Sequence, residues 1–233
     1  MSVLPPETLH EWNLAPADAM ALQSRLARRV VLEDRIAPVR HVAGVDIGFE
    51  DDGATTRAAV VVLRWREEGA PFEVVEQVVY REPTRMAYIP GLLSFRETPA
   101  ALGAFARLET RPELVMVDGQ GIAHPRRLGV ASLLGLWLDL PAIGIAKSRL
   151  CGRHAEVGET RGERVPLEHK GEVIGTVLRS RTRVKPLYVS PGHRVSQATA
   201  LEWTLRFLYR TKLPEPTRLA DRLASRRDAP GRP

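Results

Sequence analysis

The chain has a single cysteine, Cys151, in 233 residues. An internal disulfide is therefore excluded, and a reducing compartment is the natural setting. Long apolar runs are missing as well. The greasiest stretch, Leu133 to Leu140, is broken by Gly135 and Asp139, whereas a bilayer-crossing helix needs roughly 20 apolar residues. Met1 to Glu7 lacks the charged start and apolar block of a secretory leader. There is no Gly-x-x-x-x-Gly-Lys phosphate loop and no Gly-x-Ser-x-Gly elbow, which argues against a nucleotide triphosphatase and against an esterase. No internal repeat, low-complexity segment or sharp domain boundary stands out. The expectation is a soluble, cytoplasmic monomer with no membrane contact.

What is present is a moderate excess of positive charge on a chain with enough hydrophobic residues, 44%, for a sizeable core. Lysine and arginine number 34 against 28 acids, for a net charge of +6 and a pI near 10. The bases cluster: Arg179, Arg181, Arg183, Lys185 and Arg194 follow one another without an acid, as do Lys147, Arg149 and Arg153. A solvated face gives that pattern, and so does the footprint of a nucleic acid.

Alternation and breaker residues give the order of elements. A helix is expected over Ala17–Arg29, entered through Pro16, with Met20, Leu22, Leu26 and Val30 on its buried side and no visible chemistry. His41–Phe49, Arg57–Arg64 and Phe72–Arg81 read as three strands in meander order, with turns at Asp51–Gly53 and Glu67–Pro71. Thr98 and Pro99 look like the cap and first residue of a helix reaching Leu108. Leu114–Val117, a helix over Leu128–Leu138 and Pro141–Ala146 then form a strand-helix-strand unit, which implies parallel pairing. Beyond it lie a hairpin about Lys170-Gly171, a short strand Leu187–Ser190, a turn Pro191–His193, a helix from Ser196 through Tyr209, and a last helix over Thr217–Arg227 before a disordered tail. The fold class is therefore α/β: a mixed sheet, three antiparallel strands followed by parallel ones, flanked by helices. Residues 1–213 are taken as one domain, and 214–233 as a basic, partly disordered helix and tail.

Three acids stand out by position: Asp46 inside an apolar strand, Glu97 just before a helix, and Asp118 at the carboxyl end of Leu114–Val117. Asp118 can cap a turn or bind a ligand, since open α/β sheets place their crevices at strand carboxyl ends. If the first and fourth strands are neighbours, Asp46 and Asp118 share a rim and Glu97 reaches them. Converging carboxylates repel unless a cation neutralises them, and an all-oxygen set suits Mg²⁺ or Mn²⁺ rather than zinc. Acids beside basic clusters point to phosphoryl chemistry, with Lys147 placed to meet developing charge. Tyr88-Ile89-Pro90-Gly91 is a stiff turn whose aromatic either packs on its own loop or is presented to a partner.

Val42–Ile47, Tyr88–Glu97, Val117–Arg126, Ala146–Ser148 and Ser190–Arg194 together resemble the motifs of the endonuclease V family, in order, over roughly residues 10 to 212. The resemblance implies a ribonuclease H-like fold and Mg²⁺-dependent nicking of DNA, single- or double-stranded, at the second phosphodiester bond 3′ to deoxyinosine, with Mn²⁺ able to substitute. It implies Asp46, Glu97 and Asp118 as metal ligands, Lys147 at the scissile phosphate and His193 close to the metal or phosphate. Tyr88, Ile89 and Pro90 match the family's strand-separating wedge. Gly91, Leu93, Gly119, Gly121 and Ile122 match its lesion-base pocket, where glycines let the backbone meet the base edge. His124, Arg126, Ser148 and Arg149 are expected on the DNA backbone. Two positions depart from the pattern: Ala87 replaces the proline that often precedes the tyrosine, and Leu133-Leu134 stands where some members carry a histidine. An endoribonuclease acting on inosine-containing RNA and a lesion-binding module without cleavage are the competing readings.

Overall fold

The computed structural model describes residues 9–67 and 72–225. Among the described residues, eight strands form one sheet in the order β3-β2-β1-β4-β5-β8-β7-β6. The meander of β1 (His41–Glu50), β2 (Thr55–Arg64) and β3 (Glu73–Pro83) is antiparallel. β4 (Leu114–Val117) pairs in parallel with β1, and β5 (Ala142–Ala146) in parallel with β4 across the helix α3 (Val130–Leu138). β4 is buried at every position, as a strand covered on both faces must be. The hairpin of β6 (Arg164–His169) and β7 (Glu172–Leu178) extends the sheet through β8 (Leu187–His193), which runs antiparallel to β5.

Helices cover both faces. α1 (Pro16–Ala27), α2 (Leu93–Phe105) and α3 pack with Ala43, Val45, Val115 and Val117. α4 (Gln197–Arg206) and α5 (Glu215–Ala224) pack with Val42, Leu114 and Met116 on the other side. Alternate residues of β1 thus serve different cores, the period-two rule of a pleated strand.

Several expectations are corrected. Met20 is exposed, and the buried stripe of α1 is Ala19, Leu22, Gln23 and Leu26. α2 begins at Leu93, so Glu97, Thr98 and Pro99 lie inside the helix. Burial of Leu92 and Phe95 in the core starts the helix six residues, nearly two turns, before Pro99, and Pro99 inside it leaves one internal hydrogen bond unmade. Pro191–His193 is strand rather than turn. The ladder between β5 and β8 shifts register between Ala142 and Ile143, and such a bulge is where a sheet accepts proline. α4 stops at Arg206, short of Tyr209. The last helix ends at Ala224 and is docked: Ala220 is fully buried in the second core. Residues 226–233, which hold the end of the expected last helix and the expected tail from Asp228, and 68–71 of the second turn lie outside the described residues.

Candidate active site

Asp46 leaves β1 on the same face as Gly44 and Gly48, toward α5. Asp118 follows β4, and its N–H donates to the Val45 carbonyl at 2.9 Å, which fixes the two acids side by side. α5 brings a third acid, Asp221. Carboxylate oxygens of Asp46, Asp118 and Asp221 all lie within 4.8 Å of one another. Glu97, expected as the third ligand, stands outside that group of three but lines one cavity with Asp118 and Lys147 from α2. Lys147, immediately after β5, forms ion pairs with Asp118 and, at 2.6 Å, with Asp221.

The electrostatics are those of an under-neutralised cluster. Burial, then Asp118, raises the Asp46 carboxyl to about 8, with Lys147 opposing. Burial, then Asp46 and Asp118, raises Glu97 to about 8 as well. Asp118 is raised by burial, against Lys147. Half-burial alone would pull the Lys147 ammonium down, but Asp118 and Asp221 outweigh it and hold the group charged. Asp46, Asp118 and Asp221 share the Lys147 ammonium, which leaves room for further positive charge, and an all-oxygen donor set fits a hard divalent cation.

Beside the acids is a cavity of about 370 Å³. Gly91, Leu93, Gly119 and Val130 line it, and Tyr88 and Leu150 stand at its edge. Of the expected pocket residues, Gly121 and Ile122 do not line it. Gly121 is pressed against β8, where an added Cβ would lie 2.1 Å from the Pro191 carbonyl oxygen. Packing of the loop on the sheet, rather than approach of a ligand, requires that glycine. Tyr88 is 66% exposed, whereas Ile89 packs on the first core and Pro90 lines the cavity.

The expected backbone contacts divide. Ser148 and Arg149 are exposed at the cavity rim. His124 and Arg126 instead turn inward: Arg126 Nη2 and His124 Nε2 donate to the Gly91 carbonyl at 2.8 and 3.1 Å. The Arg126 N–H donates to His124 Nδ1, so Nε2 carries the hydrogen, and burial, then Arg126, pulls this imidazole down to about 4. His193 is elsewhere. It sits opposite Ala142 at the start of β5, and Lys147 follows the other end, roughly 16 Å along the strand at about 3.3 Å per residue. There it accepts from the Val31 N–H and faces Asp139 at 3.7 Å. No role near the carboxylates follows from that position.

The basic cluster after Arg179 also looks different in three dimensions. Arg179 donates to the carbonyls of Val157, Gly158 and Val184 and is a structural residue. Arg183 and Arg194 face Glu159 and Asp139, acids distant in sequence. Lys212, by contrast, stands near the site: burial, then Lys147, lowers its pKa, and Asp118 opposes.

A mixed sheet carrying converging carboxylates at the carboxyl ends of its central parallel strands is the arrangement of the ribonuclease H-like nucleases. The family model described as Endonuclease V matches residues 24–222. A relative from Azotobacter vinelandii, Endonuclease V, is 55% identical over 224 residues, 96% of this chain and 100% of its own. The endonuclease V structure from Streptomyces avermitilis superposes with a TM-score of 0.84 at 38% identity, covering 93% of this chain and 94% of that one. An endonuclease V from Ciona intestinalis, bound to a 23mer DNA containing an inosine, shares the fold at a TM-score of 0.75 and 23% identity, over 91% of this chain and 95% of its own. The chain belongs to the endonuclease V family, metal-dependent nucleases that hydrolyse phosphodiester bonds.

Proposed function

We propose that this protein is a Mg²⁺-dependent repair endonuclease of the cytoplasm, acting as a monomer, which nicks DNA at the second phosphodiester bond 3′ to deoxyinosine and leaves 3′-hydroxyl and 5′-phosphate ends. The observation that carries the reading is the shared wall between the carboxylate cluster and the cavity under Tyr88: Asp118 belongs to both, and Glu97 lines the cavity within electrostatic reach of Asp46 and Asp118. Asp46, Asp118, Asp221 and Glu97 would hold the ion, with Mn²⁺ a substitute. When bound, magnesium supplies charge neutralisation at the phosphate and a more acidic water. Lys147 keeps Asp118 and Asp221 in place and presents its remaining N–H donors to the scissile phosphate. Tyr88 fills the gap left when the lesion base leaves the stack, and the glycine-rich wall receives that base. Ser148 and Arg149 take the phosphates on either side.

An end-labelled duplex with one inosine, incubated with Mg²⁺ and run on a denaturing gel, tests this. The expected product ends one nucleotide beyond the lesion. No cleavage would leave a binding module, equal cleavage of an inosine-free duplex would remove the lesion preference, and faster cleavage of a matched inosine-containing RNA would make the protein a ribonuclease.

Three further outcomes follow from the side-chain positions. Tyr88→Ala should lower the preference for inosine over undamaged duplex about tenfold, given base–aromatic stacking of roughly 1–3 kcal/mol; equal losses on both duplexes, measured by nicking rates, would deny it a wedge role. Substituting Arg149 and Lys212 together by alanine should flatten the dependence of log affinity on log salt by roughly one to two units. Arg179→Ala should instead lower the melting temperature with the slope unchanged.

A further inference from the structure

Helix α1 contributes nothing to the chemistry described so far, yet its Gln23 is fully buried at the back of the site. The amide nitrogen of Gln23 donates to the carbonyls of Leu128 at 2.9 Å and Gly91 at 3.0 Å and to Ser94 Oγ at 3.1 Å. Its oxygen accepts from Arg126 Nε at 2.5 Å. One side chain thus joins α1, the turn that carries Tyr88, the first turn of α2 and the loop that follows Asp118. The Gly91 carbonyl is the focus, accepting from Gln23, Arg126 and His124 together. Gly91 has φ +80°, a conformation only glycine adopts at ease, and it directly follows the Tyr88–Pro90 segment. Three donors on one carbonyl fix the direction of that peptide plane. The separation between Tyr88 and the cavity wall at Gly119 is therefore referenced to Gln23.

We propose that Gln23 is a positioning residue for lesion discrimination: it acts through Gly91 to hold the Tyr88 turn at the distance from the cavity that an extruded base requires. The inference rests on the reading of the chain as an inosine-directed nuclease. Leucine matches glutamine closely in size and removes every hydrogen bond that Gln23 makes, leaving Gly91 only its bonds from Arg126 and His124. Gln23→Leu is expected to lower kcat/KM on inosine-containing duplex tenfold to on the order of a hundredfold, the scale of an ångström-sized misplacement, while affinity for undamaged duplex stays within about twofold. Arg126→Lys, which keeps the charge but loses the fork that bridges Gln23 and Gly91, should move the same ratio in the same direction and covers the case in which Gln23→Leu does not fold.

A double-mutant cycle with Tyr88→Ala supplies the reading that a merely structural role would not move. If Gln23 acts through the wedge, its substitution in the Tyr88→Ala background costs little further discrimination. Additive losses in the cycle, or a fall in nicking that is equal with and without inosine, overturn the proposal. If the wild-type protein nicks without preferring inosine, the functional reading fails first and this inference with it, so the two failures are told apart by the wild-type assay alone.

Discussion

Asp118→Asn is expected to abolish nicking, with a loss on the order of a thousandfold or more, the scale on which removing one preorganised electrostatic group acts. Affinity for inosine-containing duplex should survive in part, because the cavity walls and Tyr88 are untouched. Asparagine keeps the shape and the N–H to Val45 but removes the charge that Lys147 balances and that a cation would share. A variant that nicked at the normal rate in Mg²⁺ would remove Asp118 from the ligand set.

The same substitution has a consequence for stability that does not depend on turnover. Asp46 and Glu97 ordinarily titrate at 3.8 and 4.5, and in the folded protein both are raised to about 8. Between those limits the folded state binds more protons than the unfolded one, so stability falls as pH rises. The stability is fully present below about pH 4 and is lost progressively toward pH 8. In chelator, the melting temperature should therefore drop over this window, and Mg²⁺ should remove most of the drop by taking the place of the protons. Since Asp118 is the second cause of the Asp46 shift and a named cause for Glu97, Asp118→Asn should make the metal-free slope shallower. A melting temperature flat across pH 4 to 8 without metal would contradict the crowding of charge.

How much of this was legible in the chain depends on whether the signal was local. β4 is readable because an unbroken apolar run suits a strand covered on both faces, whereas Asp118 at its end reads equally as a turn cap or a ligand until Asp46 is placed beside it. Glu97 stands out in the chain as an acid before a helix, but Thr98-Pro99 imitates a helix start, and the true start depends on Leu92 and Phe95 entering a core built by distant strands. Asp221 was invisible. It lies among arginines on a short amphipathic helix and looks like any exposed acid until α5 is docked. Gln23 did leave a trace: 19, 22, 23 and 26 follow helical spacing, so a glutamine falls in an otherwise apolar stripe. His193 failed in the opposite sense, because proline and glycine before it read as a turn when the sheet in fact uses them at a bulge.

The fourth acid had one further signal, and it yields the last prediction. Gly44 and Gly48 flank Asp46 on one face of β1, where side chains alternate. A Cβ on Gly44 would lie 2.0 Å from the Pro216 carbonyl oxygen, and one on Gly48 would lie 3.0 Å from that of Ala224. Both ends of α5 therefore rest directly on β1, and only a strand without side chains at these positions admits the helix close enough for Asp221 to meet Asp46, Asp118 and Lys147. Gly44→Val should push the helix off its seat. The expected cost is about 1–3 kcal/mol, the usual range for overpacking, seen as a lower melting temperature. Nicking should fall on the order of a hundredfold, since Asp221 withdraws from the cluster and Lys147 loses one of its two partners. Asp221→Ala separates the two effects: nicking should fall comparably while the melting temperature is kept or raised, because a like charge leaves an acidic cluster. If Gly44→Val melts early yet nicks normally, the docking of α5 serves the core alone, and Asp221 has no part in the site.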